Sequence, residues 1–385
     1  MINITKLYCG RSGQSDPLRY PEQRNVKPIA VFNCTAQCNL RCLHCYSSSD
    51  AASSAEALST GQAKQLIDQV ADYGCPVILF SGGEPMLRKD LFELIAYAAN
   101  RKLRTVLSTN GTRIDPPAAE TLKRLNVSYI GISLDGPEPL HDAFRGRAGS
   151  FRETLTGICN CRAAGLRTGL RCTLTRSNHD HVETIFEIAE QNEVRRICFY
   201  HLIRTGRATE LHDQAITAEQ ARNALDRILD KTEQQVSADC VEEVLTVGNH
   251  ADGPYLLLRL GRMGSTAMAQ QALDLLLKSG GNRVGQNIAC ISWTGDVYPD
   301  QFWRNYPLGN VLQTPFGRIW DNVEDPVLKI LRDKDRYKDP KCARCRFFAI
   351  CKGNYRSLSG RPDPGDWCNE PECYISEQEI STSNG

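Results

Sequence analysis

From Pro28 onward, short apolar runs alternate with longer segments whose apolar residues recur every three or four positions. The short runs predict strands, and the longer segments predict amphipathic helices. The predicted strands cover residues 29–32, 77–80, 104–108, 129–134, 170–174 and 197–202. The predicted helices between them cover residues 61–73, 90–100, 118–125, 150–164 and 181–191. Repeats of this kind predict an α/β fold with a parallel sheet, arranged as an open, partial (β/α)6 TIM barrel.

The pattern divides the chain into four predicted regions. Residues 1–27 have no sustained apolar period, and we interpret them as an N-terminal leader lying over the next domain. Residues 28–209 form the partial barrel. Residues 210–285 lose the strand signal, which predicts a helical connector or insertion with helices at 217–236 and 266–278. Residues 286–385 are rich in cysteine, tryptophan, proline and glycine, which predicts a small C-terminal domain that needs a metal to fold.

The charge balance of the 385-residue chain argues against several classes of partner. Lys and Arg number 46 against 45 Asp and Glu, so a formal charge of +1 gives no field that would attract nucleic acid or an anionic membrane. No apolar run approaches the roughly 18 residues of a membrane-spanning helix, and the first residues do not form a secretion signal. We therefore expect a cytoplasmic protein without nucleic-acid or membrane partners.

The strongest chemical signal in the sequence is its set of 17 cysteines. The number is odd, the spacings are tight and no secretion signal is present, which favours metal sites over disulfides. Cys38, Cys42 and Cys45 lie directly after the first predicted strand. Three thiolates in one loop can bind three irons of a 4Fe-4S cluster and leave the fourth iron open, as a catalytic metal requires. The alternative is a structural zinc site with Cys34 as the fourth ligand.

Glycine-rich and polar motifs follow the next three predicted strands. They are Ser81-Gly82-Gly83-Glu84-Pro85, Ser108-Thr109-Asn110-Gly111-Thr112 and Ser133-Leu134-Asp135-Gly136. Together with the cysteine triplet, these motifs resemble the radical S-adenosylmethionine (SAM) superfamily. The resemblance assigns SAM binding to Gly82, Gly83, Glu84 and Pro85 at the amino group, and to Ser108, Asn110, Ser133 and Asp135 at the ribose and methionine ends. The two glycines are then expected to expose backbone, and Glu84 to supply an acceptor.

The resemblance also implies a reaction type. In this superfamily, the cluster on the three cysteines reduces SAM, and the resulting 5′-deoxyadenosyl radical removes hydrogen from an unactivated carbon. Such an enzyme needs an external low-potential electron donor, of the ferredoxin or flavodoxin type. The implied cofactors of the barrel are therefore one SAM-binding 4Fe-4S cluster and S-adenosylmethionine itself.

A second cysteine group lies near the C-terminus. Its spacing resembles the SPASM/twitch-like auxiliary cluster domain of the same superfamily, which implies an auxiliary 4Fe-4S cluster on Cys342, Cys345, Cys351 and Cys373. Tyr355 and Thr314 occupy positions where the full SPASM pattern has cysteines, so we expect one auxiliary cluster rather than two. Cys290 is then left outside any cluster. Cys368 is an alternative to Cys373, and structural zinc is an alternative metal for this domain.

Segments across nearly the whole chain resemble the tetrapyrrole-modifying branch of the superfamily, which serves the haem and haem d1 pathways. These segments are residues 4–10, 249–253, 299–303, 353–356 and 365–374. The resemblance implies an iron tetrapyrrole substrate, with two acetate side chains lost from 12,18-didecarboxysiroheme to give iron-coproporphyrin III. The alternatives are modification of propionates on the same substrate, a SPASM-type peptide maturase, and a non-enzymatic zinc or iron-sulfur protein.

A tetrapyrrole carries several carboxylates on a wide apolar plane, so its site needs arginines together with aromatic residues. The arginines near predicted strand ends are Arg145, Arg147, Arg171, Arg176, Arg204 and Arg207. Of these, Arg145 and Arg171 are also candidate cofactor contacts. Tyr200 and His201 on the sixth predicted strand are candidate catalytic residues, while a buried, hydrogen-bonded histidine is the structural alternative for both His201 and His250.

The remaining cysteines have a structural interpretation. Five of them fall at core-like positions of predicted helices and strands, namely Cys75, Cys159, Cys161, Cys172 and Cys198. Free cysteine behaves as a small buried hydrophobe, so we expect all five in the core. Cys9 and Cys34 carry no assignment.

Overall fold

A computed structural model describes residues 1–12, 16–20, 27–53, 56–354 and 372–381 of the chain. One sheet contains the strands β1 Ile2–Asn3, β2 Ile29–Asn33, β3 Val77–Ser81, β4 Arg104–Thr109, β5 Tyr129–Ser133, β6 Thr168–Leu174, β7 Arg196–His201, β8 Glu243–Val247, β9 Ile288–Ile291, β10 Asp296–Tyr298 and β11 Gly309–Asn310. Their order across the sheet is β1-β8-β7-β6-β5-β4-β3-β2-β9-β10-β11.

The helices cover the outer face and the two ends of this sheet. They are α1 Ile4–Cys9, α2 Asp16–Arg19, α3 Thr60–Asp72, α4 Leu91–Asn100, α5 Pro116–Arg124, α6 Glu138–Arg145, α7 Ser150–Ala163, α8 Val182–Gln191, α9 Ala218–Ser237, α10 Asp252–Arg262, α11 Thr266–Ser279, α12 Phe316–Trp320, α13 Pro326–Arg332, α14 Pro340–Ala343, α15 Phe348–Cys351 and α16 Glu377–Ser381. Short 3-10 turns lie at Pro85–Leu87, Gly206–Glu210 and His212–Gln214. No helix in the described part of the chain is long and apolar enough to cross a membrane.

The six predicted strands are confirmed as β2 to β7, and adjacent strands among them run parallel. Side chains alternate between the two faces of each strand. Phe32, Phe80, Leu107 and Phe199 point to the outer face and are fully buried in the main core. The partial (β/α) barrel expected from the pattern is therefore the fold of the central region.

Local sequence signals fix where several helices begin. Ser59 and Thr217 each form a capping box with a glutamine three residues later, at the starts of α3 and α9. Asp115 caps α5, whose first residue is Pro116. These side chains satisfy backbone N–H groups that a helix leaves without partners at its first turn.

Residues 210–285 contain a strand that the pattern did not predict. β8 runs parallel to β7 and all of its residues are buried, while β1 pairs antiparallel with β8 at the edge. The expectation of a connector without strands is therefore wrong. A run this short, with Glu243 and Thr246 among its apolar residues, carries no clear period. The two predicted helices are confirmed as α9 and α11.

The first residues complete the core at this edge of the sheet. Ile4, Leu7 and Tyr8 of α1 are buried, and α1 packs on β8, α9 and α11. At the opposite edge, β9 runs parallel to β2 and continues into the antiparallel strands β10 and β11. The single sheet thus passes through all four regions expected from the sequence, and the boundaries of those regions stay a prediction.

Four of the five predicted core cysteines are buried, and one is exposed. Cys75, Cys161, Cys172 and Cys198 are buried, as expected. Cys159 is exposed, so its prediction is wrong. α7 turns Cys161 toward the core, and a residue two positions earlier on a helix lies on the far side.

A buried carboxylate links the leader to the barrel. Glu243 of β8 pairs with Arg19 of α2 and with Arg196 of β7, whose Nε lies 2.8 Å from Oε2. Glu243→Gln leaves both guanidinium groups without this counter-charge, so we expect the free energy of unfolding to fall by about 3 kcal/mol. Urea denaturation of the full-length protein measures the change.

The neighbouring residue Glu242 provides a matched control. Its side chain is 45% exposed and pairs with surface arginines. Glu242→Gln should therefore lower the free energy of unfolding by less than about 1 kcal/mol. Equal losses in the two variants would contradict the assigned role of Glu243.

Candidate active site

The cysteine loop, residues 34–45, follows β2. Cys38 and Cys42 are buried, Cys45 is half-buried, and the three side chains cluster around Leu40. Burial raises the pKa of the Cys38 thiol to about 12. A thiolate at this position therefore needs a bound metal to offset its charge. The donor set fits an iron-sulfur cluster held by three cysteines.

Two arginines hold the cysteine loop in place. Arg207 donates hydrogen bonds to the carbonyl oxygens of Cys42 at 2.9 Å and Ser49 at 2.8 Å. Arg145 Nη1 lies 3.5 Å from Sγ of Cys42, and Nη2 pairs with Asp135 at 2.5 Å. Burial raises the pKa of Cys42, and the Arg145 guanidinium opposes that shift. Two predicted cofactor contacts, Arg145 and Asp135, thus lie beside the cluster cysteines.

Gly82 and Gly83 press directly on the cysteine loop. The amide of Gly83 donates to the carbonyl of Thr35, and the amide of Glu84 donates to that of Gln37, both at 2.8 Å. A Cβ on Gly83 would lie 2.2 Å from the Gln37 oxygen, and one on Gly82 would lie 2.5 Å from the Thr35 oxygen. Both positions therefore need glycine for close backbone approach. The Gly83 amide is thus hydrogen-bonded rather than exposed, which differs from the expectation for this glycine.

Glu84 joins the ends of β3 and β4. Its buried carboxylate accepts hydrogen bonds from Thr109 Oγ1 at 2.7 Å, the Asn110 amide at 2.8 Å and the Met86 amide at 3.0 Å. The side chain of Asn110 in turn donates to Asn39 of the cysteine loop at 3.0 Å. In the structure, Glu84 and Asn110 position the cysteine loop, and their predicted contact with SAM stays a prediction.

The inner face of the sheet lines a cavity of about 470 Å³. Alternation along the strands brings every second residue to this face. The strand residues that line the cavity are Ile2, Ile29, Val31, Val77, Leu79, Ser81, Arg104, Val106, Ser108, Tyr129, Ser133, Arg171, Thr173, Arg196, Tyr200, His201, Val247 and Ile288. Ser81, Ser108 and Ser133 therefore lie near the carboxyl ends of their strands, whereas Arg104 and Arg196 lie at the amino ends of β4 and β7. Arg171 lies between these levels and is in register with Ser133.

Several predicted site residues line this cavity. They are Ser108, Ser133, Arg145, Arg171, Tyr200, His201 and His250. The other predicted SAM contacts lie at the ends of β3, β4 and β5, outside the described lining, and are Gly82, Gly83, Glu84, Pro85, Asn110 and Asp135.

Four of the six predicted substrate arginines do not line the cavity, and their contact with a substrate stays a prediction. Arg147 pairs with exposed Glu153, and Arg176 donates to the carbonyl of Ala215. Arg204 is absent from the described lining, and Arg207 holds the cysteine loop. Proximity to a strand end does not fix which side of the loop a long side chain occupies.

Four arginines that line the cavity were not predicted, namely Arg19, Arg104, Arg196 and Arg283. Arg104 and Arg196 begin β4 and β7, at the opposite end of the barrel from the loops considered in the sequence. The strand period of two could have identified Arg104 from the sequence, because it places Arg104 on the same face of β4 as Val106 and Ser108. Burial, together with the nearby positive charges of Arg167 and Arg196, lowers the pKa of Arg104.

Arg171 lies across the inner face of the sheet. Its Nη1 donates to Ser108 Oγ at 2.5 Å, and its guanidinium carbon is 6.0 Å from the centre of the Tyr129 ring. Gly131 makes room for it, because a Cβ there would lie 2.2 Å from Nε of Arg171. Within the described part of the chain, no carboxylate forms an ion pair with Arg171. A half-buried guanidinium with uncharged partners is suited to an anionic ligand.

A hydrogen-bonded chain runs from the cavity wall toward the second cysteine group. His201 Nε2 lies 3.1 Å from Asp252 Oδ2, and the Tyr374 hydroxyl donates to Asp252 Oδ1 at 2.5 Å. Burial disfavours the charged imidazole, but the Asp252 carboxylate outweighs burial and raises the pKa of His201. Burial also raises the pKa of the neighbouring Tyr200. His201 is thus hydrogen-bonded as well as cavity-lining, and the sequence carried no signal for its partners.

The second cysteine group converges on one small cavity of about 20 Å³. The cysteines that line it are Cys342, Cys345, Cys351 and Cys373. Four half-buried thiols around one pocket fit an auxiliary iron-sulfur cluster. Cys368 lies outside the described residues. Cys290 is buried in β9, where its Sγ accepts a hydrogen bond from Asn33 Nδ2 at 3.4 Å, and it does not line this pocket.

Residues 281–284 separate the two cavities. The amide of Asn282 donates to the carbonyl of Cys351 at 2.9 Å, and its side chain donates to the carbonyls of Gly353 at 3.1 Å and Asn354 at 2.7 Å. Asn282 also lines the large cavity. A Cβ on Gly281 would lie 2.6 Å from the Cys351 oxygen, so only glycine permits this contact. The second cysteine group therefore lies directly behind the wall of the large cavity.

Comparison with known proteins gives matches along the whole chain. The Radical SAM superfamily model matches residues 32–189, and the SPASM iron-sulfur cluster-binding domain model matches residues 283–346. The chain is 41% identical to Fe-coproporphyrin III synthase of Methanosarcina barkeri, over 99% of both chains. It is 32% identical to pre-heme d1 synthase of Dinoroseobacter shibae, over 93% of this chain and 88% of the relative.

A solved structure supports the fold. The chain superposes on Streptococcus suis SuiB bound to S-adenosylmethionine with a TM-score of 0.68, at 17% identity, over 88% of this chain and 76% of SuiB. At this level of identity the similarity concerns the fold alone.

The two cysteine groups predict the iron content of the protein. We expect about eight irons in wild type and about four after Cys38, Cys42 and Cys45 are all replaced with Ala, because the second group remains intact. Iron and sulfide analysis of anaerobically purified protein measures both values. Cys290→Ala is the control and should leave the iron content unchanged. About twelve irons in wild type, or zinc in the C-terminal domain, would contradict this assignment.

Proposed function

The chain belongs to the radical SAM superfamily and carries a SPASM iron-sulfur domain, and we propose that it removes two acetate side chains from 12,18-didecarboxysiroheme to give iron-coproporphyrin III. The chain is a radical SAM enzyme, which sets aside the non-enzymatic alternative. The proposal assigns it a step of haem biosynthesis, in line with the names of its relatives.

The choice of substrate rests on one observation, the positive charge of the residues that line the large cavity. Six arginines and Lys27 line it, whereas Asp300 is the one carboxyl among its described lining residues. Arg104 and Arg171 form no ion pair with a carboxylate within the described part of the chain. A ligand with several carboxylates supplies the missing negative charge, and each guanidinium can bind a carboxylate bidentately.

The floor of the cavity suits the plane of a tetrapyrrole. Its middle consists of Val31, Leu79 and Val106, and the rings of Tyr129 and Tyr200 lie beside them. This apolar middle favours a flat macrocycle, because a peptide main chain needs donors and acceptors along its length. Cations around an apolar floor therefore support a tetrapyrrole over the peptide substrate of a maturase.

The cofactor and the substrate would occupy opposite ends of one barrel. When bound at Cys38, Cys42 and Cys45, the cluster with SAM supplies a radical that removes hydrogen from an unactivated carbon. Ser108 and Ser133 line the cavity near that end. Arg104 and Arg196 at the other end would fix the orientation of the substrate, and an error of about an ångström would change the rate steeply. An external low-potential donor, of the ferredoxin or flavodoxin type, would supply the electron.

Mass spectrometry of the product tests the proposal. Anaerobic, reduced enzyme is incubated with SAM and 12,18-didecarboxysiroheme, and we expect 5′-deoxyadenosine together with a tetrapyrrole that has lost two acetate side chains. Altered propionates would instead select the haem d1 reaction. An unchanged tetrapyrrole, with modification of a peptide, would overturn the assignment to tetrapyrrole chemistry.

The unpaired arginines provide a second test. Arg104→Gln and Arg171→Gln each remove a charge-assisted contact to a substrate carboxylate, so the Kd for the tetrapyrrole should rise by about tenfold or more. Absorbance titration of the protein without SAM measures this affinity. Arg147→Gln is the control, because Arg147 pairs with Glu153 on the surface, and its Kd should match wild type. Equal effects in all three variants would contradict the role assigned to the cavity.

A further inference from the structure

Asp300 lies in the turn after β10 and is one of the least exposed charged residues in the chain, at 1% exposure. Its Oδ1 accepts hydrogen bonds from the amides of Phe302 at 2.8 Å and Trp303 at 3.0 Å. Its Oδ2 is buried, and no described residue donates a hydrogen bond to it. Since Asp300 lines the large cavity, Oδ2 is a buried carboxyl oxygen at the cavity wall that lacks a hydrogen-bond partner among the described residues.

The surroundings of Asp300 favour its protonated form near neutral pH. Burial raises the pKa of Asp300 to about 7, while the two amides and the ammonium group of Lys334 oppose the shift. Burial also raises the pKa of Cys290, and the Asp300 carboxylate adds to that shift, so the Cys290 thiol stays neutral beside it. Other titratable groups that line the same cavity include His201, His250 and Arg283, and the Arg304 guanidinium opposes the shift of the Cys290 pKa. Asp300 can therefore carry a proton into an otherwise cationic cavity.

The proposed reaction requires such a proton, and this inference rests on the proposed function. Removal of a hydrogen atom from the ring carbon beside the acetate-bearing carbon leaves an unpaired electron next to the bond that must break. That carbon–carbon bond then breaks homolytically, a ring double bond forms, and a carboxymethyl radical departs. One electron and one proton convert this radical to acetate. The electron comes from a low-potential iron-sulfur or flavin electron carrier, and the proton must come from a group in the cavity.

We propose that Asp300 delivers this proton from Oδ2 to the carbon of the departing acetate fragment and regains a proton from solvent after each cleavage. The position suits the task, because Oδ1 is fixed by two backbone amides and only Oδ2 remains to act. Among the other cavity-lining ionisable groups, the arginines hold their protons too tightly to donate them, and His201 Nε2 already pairs with the Asp252 carboxylate at 3.1 Å. Asp300 is then a catalytic residue that acts after carbon–carbon cleavage.

The alternative role for Asp300 is purely structural, as the side chain that closes a tight turn. Asn forms the same turn, since its Oδ1 can accept both amide hydrogen bonds. Asp300→Asn therefore preserves the turn and the shape of the cavity while removing the acid. We expect it to keep wild-type iron content and wild-type Kd for the tetrapyrrole, and to release acetate about 100-fold more slowly. Asp300→Glu should recover part of the rate.

Asp325→Asn is the matched control. Asp325 also accepts a backbone amide hydrogen bond through Oδ1, at the start of α13, but it does not line the cavity. This variant should release acetate at the wild-type rate. A comparable loss of rate in Asp325→Asn and Asp300→Asn would overturn the inference.

The pH dependence separates an acid from a turn-forming residue. An acid acts in its protonated form, so the kcat of wild type for acetate release should fall as pH rises through about 7. Asp300→Asn should lose this dependence. Infrared spectra of the purified protein, recorded without substrate across the same range, should show the band of a protonated carboxyl that Asp300→Asn lacks. In D₂O, wild type should release acetate that carries one deuterium in its methyl group.

The outcomes distinguish failure of the proposed function from failure of the role proposed for Asp300. If wild type releases no acetate, the proposed function fails and this inference fails with it. If wild type releases acetate, and Asp300→Asn does so at the same rate with the same pH dependence, the inference alone is overturned. Acetate without solvent deuterium would also overturn it, because the hydrogen would then have returned from a carbon-bound source.

Discussion

The main constraint on this structure is the burial of positive charge at the inner face of an open parallel sheet. The contacts of the buried arginines depend on it. A guanidinium loses hydration there and must be paired, placed against an aromatic ring, or matched by a ligand. Arg145 pairs with Asp135, whereas Arg196 pairs with Glu243 and lies 4.3 Å from the centre of the Tyr129 ring. Arg104 and Arg171 have no carboxylate partner among the described residues. These two positions therefore favour an anionic ligand over an empty cavity.

Position along the strands separates two kinds of chemistry within one barrel. Residues near the carboxyl ends of the strands meet the cysteine loop, where glycine contacts and the buried Glu84 fix the backbone. Residues near the amino ends, such as Arg104 and Arg196, lie several positions away along the same strands. Because the strands are rigid, the distance between the reactive end and the cationic end is set by strand length rather than by loop motion. This arrangement suits a large substrate that must be held at one end and attacked at the other.

The wall formed by residues 281–284 lies between the large cavity and the second cysteine group and contacts both. Asn282 contacts the backbone around Cys351 on one side and the large cavity on the other. Asp300 and Phe302 continue the same wall after β10. The C-terminal domain therefore supplies part of the cavity as well as its own metal site. The pairing of β9 with β2 joins this domain to the barrel in one sheet.

Period and spacing were enough to predict β2 to β7, both cysteine groups and five of the six helices between these strands, because each of these depends on residues close together in the chain; the short helix α6 was missed. β8 was missed because five buried residues with two polar members show no alternation. Arg104, Arg196 and Asp300 were missed for a different reason. Their environment is built from strands and turns far apart in the chain, and no local pattern reports that a charged side chain will be buried beside a cavity. Likewise, Arg147 and Arg145 lie two positions apart, yet one pairs on the surface and the other reaches Cys42, because packing around α6 turns them to opposite sides. The local order of elements followed from the sequence, whereas the charge of the cavity followed from long-range packing.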